Sequence, residues 1–185
     1  MNQRARQRLL AEVVEYAADQ GIAGRSLREI AAGVGTSHRM LLYHFGTREG
    51  LLDAIVSDME DRQRDLLASL AESAETPREL MTALWAELSG PRLRPFVRLF
   101  FEVAGIAAAG GTDGGRRPDG LTGPWLDGAV EAAKSVGLEA DPPLLRAGIA
   151  LTRGLLLDLV SGADPHEVDA AHASYLDLLG RSTPL

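Results

Sequence analysis

The sequence predicts an all-α fold: a three-helix unit over residues 1–46, followed by six helices over residues 47–185. Three observations carry this. Strand signatures, with β-branched residues alternating between turn signals, are missing. Alanine and leucine recur at helical spacing along the whole chain. Helix-start signals also recur, at Ser26-Leu27-Arg28-Glu29, Thr76-Pro77-Arg78-Glu79 and Asp164-Pro165-His166-Glu167.

Taken in order, the first helix runs from about Gln3 to Gln20, with Leu10, Val13, Val14 and Ala17 on one stripe and Gly21 as its stop. The second starts at a capping box, Ser26 with Glu29, and buries Leu27, Ile30, Ala31 and Val34. Gly33-Val34-Gly35 turns the chain, and Thr36 or Ser37 caps a short third helix to Phe45, whose Leu41 and Phe45 face inward. Gly46 ends it. Thr47 then caps a long fourth helix to about Glu72. The fifth runs from Thr76 to Gly90 and the sixth from about Pro95 to Ala109. Gly110 to Gly123 is a glycine-rich connection. Helices over Pro124–Val136 and Pro142–Ser161, and from Pro165 to near Gly180, complete the chain.

Composition bounds the function. A chain of 185 residues that is 45% hydrophobic can bury a core without staples. The absence of cysteine excludes a disulfide scaffold, a thiol nucleophile, cysteine-ligated zinc and iron–sulfur clusters. No apolar run approaches the ~18–20 residues of a membrane span. The basic start is interrupted by Glu12 and Glu15, which does not suit a signal peptide, so the expected location is the cytoplasm. Net charge is −7, but it is unevenly placed. In residues 1–50, seven arginines against five acids leave +2, and the remainder carries −9. That asymmetry points to an interaction surface at the N-terminal end.

Two short helices joined by a glycine-containing turn form a helix-turn-helix pattern. The second helix presents Ser37, His38, Arg39, Leu42, Tyr43 and His44. Short hydroxyls such as Thr36 and Ser37 at a helix N-terminus suit phosphates, and arginine can pair bidentately with guanine. The same spacing also suits a helical hairpin inside an ordinary bundle.

The stretch SLREIAAGVGTSHRMLLYHFGTREGLLDAI, Ser26 to Ile55, resembles the N-terminal domain of the tetracycline-repressor (TetR) family of transcriptional regulators. The likeness rests on Ser26, Ile30-Ala31, Gly33-Val34, Leu41, Tyr43-His44-Phe45, Arg48 and Leu51. It implies that Ser37, His38 and Arg39 read bases and that Tyr43, His44, Thr47 and Arg48 grip phosphates. Ser26 and Arg28 match backbone contacts from helix two. Arg39, Met40 and Leu42 depart from the residues most frequent at their places, so the operator cannot be borrowed from a relative.

The resemblance also implies an effector-binding and dimerisation domain after residue 46. An apolar pocket is expected around Trp85, Phe96, Phe100 and Trp125, with a bundle core as the alternative for each aromatic. Glu102, Arg153 and Asp158 are charges embedded in apolar stretches, candidates to orient a ligand or to face solvent. Leu144 to Val160 is apolar on every side and needs two partners. Leu151, Leu155 and Leu156, with Leu176 and Leu179 of the last helix, are therefore expected in a homodimer interface of four-helix type.

The sequence thus predicts a dimeric DNA-binding regulator, a repressor released from a double-stranded operator by a small apolar effector. No cofactor, metal site, membrane partner or catalytic residue is expected. The histidine pairs His38/His44 and His166/His172 are each six apart and share no helix face, and no hydrolase or metalloprotease motif occurs. Two alternatives differ in class. A protein of this fold controlled by a protein partner would have a filled core. A helical enzyme would have perturbed titratable groups converging in a pocket.

Overall fold

The computed structural model describes residues 3–109, 122–139 and 141–182, less the side chains at 124 and 182. Most of the glycine-rich connection, and with it the expectation that it bounds a pocket entrance, lies outside these residues. Every regular element among the described residues is a helix: α1 Gln3–Gln20, α2 Leu27–Gly33, α3 His38–Phe45, α4 Arg48–Ser73, α5 Pro77–Ser89, α6 Arg94–Ala109, α7 Gly123–Ser135, α8 Pro142–Val160 and α9 Pro165–Ser182. None is long and apolar enough to cross a membrane.

The helix starts follow from local chemistry. Ser26 accepts from the Glu29 N–H while the Glu29 carboxylate takes the Ser26 N–H, a complete capping box. Thr47 Oγ1 accepts from Gly50 N at 3.0 Å, and Thr76 accepts from Glu79 N at 3.2 Å. Asp164 accepts from His166 N at 2.9 Å. Each satisfies an amide that the first helical turn leaves without a partner.

The chain forms two compact units. One takes α1 to α3, α4 as far as Glu60, and α6 from Arg98 onward; the other takes the rest of α4, α5, the start of α6 and α7 to α9. Both α4 and α6 therefore run through the division. In the first unit Val13, Val14, Ile22, Ile30, Leu41, Leu51 and Ile55 are fully enclosed. Burial of each such side chain is worth about 1.5–3 kcal/mol. In the second, Leu67, Leu80 and Ala132 form a core with Leu70, Leu84 and Val136 against it. There α8 neighbours α5, α7 and α9.

Candidate nucleic-acid interface and cavity

The turn between α2 and α3 is built from backbone hydrogen bonds. Val34 N reaches Ile30 O at 3.1 Å, and Thr36 N reaches Ala31 O at 2.9 Å. Between them Gly35 takes φ +70°, where a side chain would be strained. Ser37 then caps α3, accepting from Met40 N at 3.2 Å. Leu41 and Phe45 anchor the inner face of α3. The outer face leaves Ser37, Arg39, Met40, Leu42 and Tyr43 exposed, Tyr43 at 61%, with Thr36 and His38 half-exposed. Ser26, Arg28 and Thr47 are also exposed. The two helix N-termini, at Ser37 and Thr47, and a row of side chains long enough to reach base edges thus share one short stretch of chain.

Two expected phosphate contacts are positioned differently from the rest. His44 is buried, its ring T-shaped against Tyr43 at 5.0 Å, and Nδ1 has no hydrogen-bond partner. The Arg48 guanidinium turns inward, donating from Nε to Arg25 O at 3.0 Å and from Nη2 to Ile22 O at 3.4 Å. Arg6, which the sequence did not single out, holds the end of α3. It donates to His44 O at 3.3 Å and lies 5.1 Å from the Phe45 ring centroid. Two hydrogen bonds from Ser26, through its N–H and its hydroxyl, hold the Glu29 carboxyl below the usual range, so the α2 cap stays ionised at neutral pH.

The connection between α1 and α2 is clamped by α6. Glu102 Oε1 accepts from Ile22 N at 2.8 Å and also from Ala23 N. Arg98 Nη2 donates to Ala18 O at 2.9 Å. One carboxylate and one guanidinium from α6 thereby satisfy the amides and carbonyls left at the end of α1. Glu102 was visible in the sequence as an embedded charge, but its partners were not.

The second unit contains a cavity of about 320 Å³ bounded by α4, α5, α7, α8 and α9. Leu67, Leu80, Leu84 and Leu156 give it apolar walls, and Gln63, Trp125, Arg153 and Tyr175 supply polar edges. Of the four aromatics expected there, Trp125 lines it. Trp85 instead stacks on the buried His172 at 4.5 Å and donates from Nε1 to Asp169 at 2.8 Å. Phe96 has the Arg62 guanidinium 6.0 Å from its ring centroid. Phe100 belongs to the other unit, edge-on to Phe101 at 5.3 Å. Arg153 lies 4.3 Å from the Trp125 ring centroid and donates to Thr122 Oγ1 at 2.8 Å.

Of the residues expected between protomers, Leu156 (4% exposed) and Leu176 (2%) are enclosed within the second unit itself. Leu151, Leu155 and Leu179 are half-buried. Leu157 (45%) and Leu178 (62%), not singled out beforehand as interface residues, face outward from α8 and α9.

Leu9–Ile55 matches the family model of bacterial regulatory proteins, tetR family. The match lies within the first unit of the chain. The chain is 32% identical over 79 residues to the HTH-type transcriptional regulator BetI of Rhizobium meliloti (strain 1021). That match covers 43% of this chain and 39% of BetI, so it spans well under half of the curated relative. Among solved structures, a TetR-family member of Streptomyces coelicolor A3, SCO1917, aligns at 25% identity over 97% of this chain and 98% of its own, with a TM-score of 0.69. The multidrug-binding protein EbrR, in complex with imidazole, shares the fold at 23% identity, covering 100% of this chain and 92% of its own, with a TM-score of 0.69.

Proposed function

We propose that this protein is a regulator of the TetR family, a homodimeric repressor that sets α3 of each protomer into a major groove of its operator and is released by a small, mainly apolar effector. The observation that carries the DNA reading is the outer face of α3. Behind the Gly35 turn, Arg39, Met40, Leu42 and Tyr43 are exposed beside two capped helix N-termini. Arg39 and His38 serve as base readers. Ser37, Tyr43, Thr47, Ser26 and Arg28 serve as backbone contacts. Arg48 and Arg6 hold the head in shape through carbonyls of Arg25 and His44.

The effector reading is supported by the cavity of about 320 Å³, within the size range of small-molecule sites, and by the fold shared with the imidazole-bound EbrR. Trp125 stands in its wall, while Trp85, Phe96 and Phe100 serve as packing. Because α4 carries both Leu67 of that wall and the Thr47-capped first turn of the head, an effector that binds one setting of α4 more tightly shifts the population toward it. Dimerisation through α8 and α9 is supported by the outward Leu157 and Leu178, with Leu151, Leu155 and Leu179 flanking.

Selection of bound sequences from a random double-stranded pool tests this. The expected product is a two-fold motif with half-sites about one helical turn apart. A folded chain that enriches nothing over the input pool overturns it.

A further inference from the structure

Among the described residues six large apolar side chains are exposed, and three of them, Met40, Leu42 and Tyr43, stand on α3, a helix of only eight residues. Helix geometry places them. Leu41 points into the core, and at about 100° per residue Arg39 and Tyr43 then form the outermost ridge, with Met40 and Leu42 on its two opposite flanks. The exposures agree: 61% for Tyr43 on the ridge, 41% and 39% for Met40 and Leu42. The backbone that carries them is held at both ends. Ser37 caps Met40 N, and Arg6 donates to His44 O. Both flanks are therefore presented in a fixed setting. Apolar side chains gain nothing from phosphate oxygens, so Met40 and Leu42 do not serve as backbone contacts.

We infer that Met40 and Leu42 are specificity residues that read thymine, each packing on the C5-methyl of a thymine in the operator half-site, the two thymines on opposite strands. This rests on the DNA reading above and adds base identity to it. Every base pair offers hydrogen-bonding groups in the major groove, but the thymine methyl is the apolar group displayed there. A helix with its side chains is about 10–12 Å across and the groove about 12 Å wide, so α3 fills it and its two flanks meet the two strands. Arg39, on the ridge between the flanks, faces the floor of the groove, where guanine presents O6 and N7. The half-site should accordingly hold a guanine for Arg39 and A·T pairs in both orientations.

The test uses the full-length chain and the duplex enriched from random DNA. Each thymine is replaced singly by deoxyuridine, which keeps every base-pairing group and removes only the methyl. Burying one methyl-sized group corresponds to about three- to fivefold in affinity. On the native chain, at least two replacements in each half-site, on opposite strands, should each weaken binding by that factor. Met40→Ala should erase the penalty at one of these positions and Leu42→Ala at the other, each leaving its neighbour's penalty intact. Both residues are exposed and alanine favours a helix, so the variants keep the fold. The deoxyuridine scan of the native chain needs no variant and decides the matter by itself. No penalty at any thymine, penalties on one strand only, or penalties that survive both alanine substitutions overturn the inference and leave the DNA reading standing. A folded chain that enriches no sequence overturns the DNA reading and the inference with it.

Discussion

Replacing Glu102 with alanine should loosen the join between α1 and α2. The carboxylate accepts from Ile22 N at 2.8 Å and from Ala23 N, and among the described residues nothing else in that turn reaches these amides. A hydrogen bond to a charged acceptor is worth about 1.5–3 kcal/mol. Ala23 is exposed and water can replace its partner, whereas the Ile22 side chain is fully enclosed and its amide is partly shielded. The expected loss is therefore that of about one such bond, ~1.5–3 kcal/mol, not two. For a chain of this length each kilocalorie moves the midpoint by about 2–4 °C, so Tm should fall by about 3–12 °C. Glu102→Gln keeps an oxygen in place but no charge, and should lose roughly half as much. Circular dichroism melts at one fixed protein concentration measure this, since the proposed homodimer would link Tm to concentration. Amide exchange at Ile22 and Ala23 should accelerate in the same variant. A Glu102→Ala midpoint within a degree of the native value, with unchanged exchange at these amides, would refute the clamp.

Three further outcomes follow from the geometry. Leu157→Glu with Leu178→Glu should give folded monomers in ultracentrifugation with weakened DNA binding, whereas Leu156→Glu should unfold the chain because that side chain is enclosed; a native-sized dimer from the first pair excludes the α8–α9 interface. Burial lowers the His172 pKa below its ordinary 6.5, so the unfolded chain binds the extra proton first: stability should be level above pH 6.5 and decline as pH falls below it, and His172→Phe should flatten that decline in urea titrations, a slope surviving the change being the contrary result. Arg48→Ala should cost about 1.5–3 kcal/mol of stability while leaving the salt slope of DNA binding unchanged, because its donors are taken up by Arg25 O and Ile22 O; a slope reduced by about one would return Arg48 to the phosphates.

What could be read from the sequence was local. Ser26 with Glu29, and Thr47, Thr76 and Asp164, announce helix starts because a cap and the amide it satisfies lie within three residues of each other. Leu41 and Phe45 share the inner face of α3 at i, i+4, so the outward set on α3 followed directly. What depends on distant partners was not legible. Arg48 could reach phosphate or carbonyl, and only the fold brings Ile22 and Arg25 to it. His44 stands beside the exposed Tyr43 in sequence, yet one residue of helical rotation buries it. In the continuous apolar run of α8, periodicity has no contrast to work on, so Leu156 inside and Leu157 outside could not be told apart. Trp85 and Trp125 are equivalent as composition; the stacking of His172 on one and of Arg153 on the other assigns them to core and cavity. Gln63 carried no sequence signal at all.

The account stands on α3 as a DNA-reading helix, and Arg39 tests it most directly. The measurement is the affinity of native chain and Arg39→Ala for the selected operator and for scrambled DNA, each at several salt concentrations. Loss of a bidentate base contact costs about 1–3 kcal/mol on the operator alone. The ratio of operator to scrambled affinity should therefore fall by roughly five- to a hundred-fold, with the salt slope on scrambled DNA unchanged. An Arg39→Ala variant that keeps the native ratio contradicts base reading by this residue, and a native chain with no preference for any selected sequence contradicts the account as a whole.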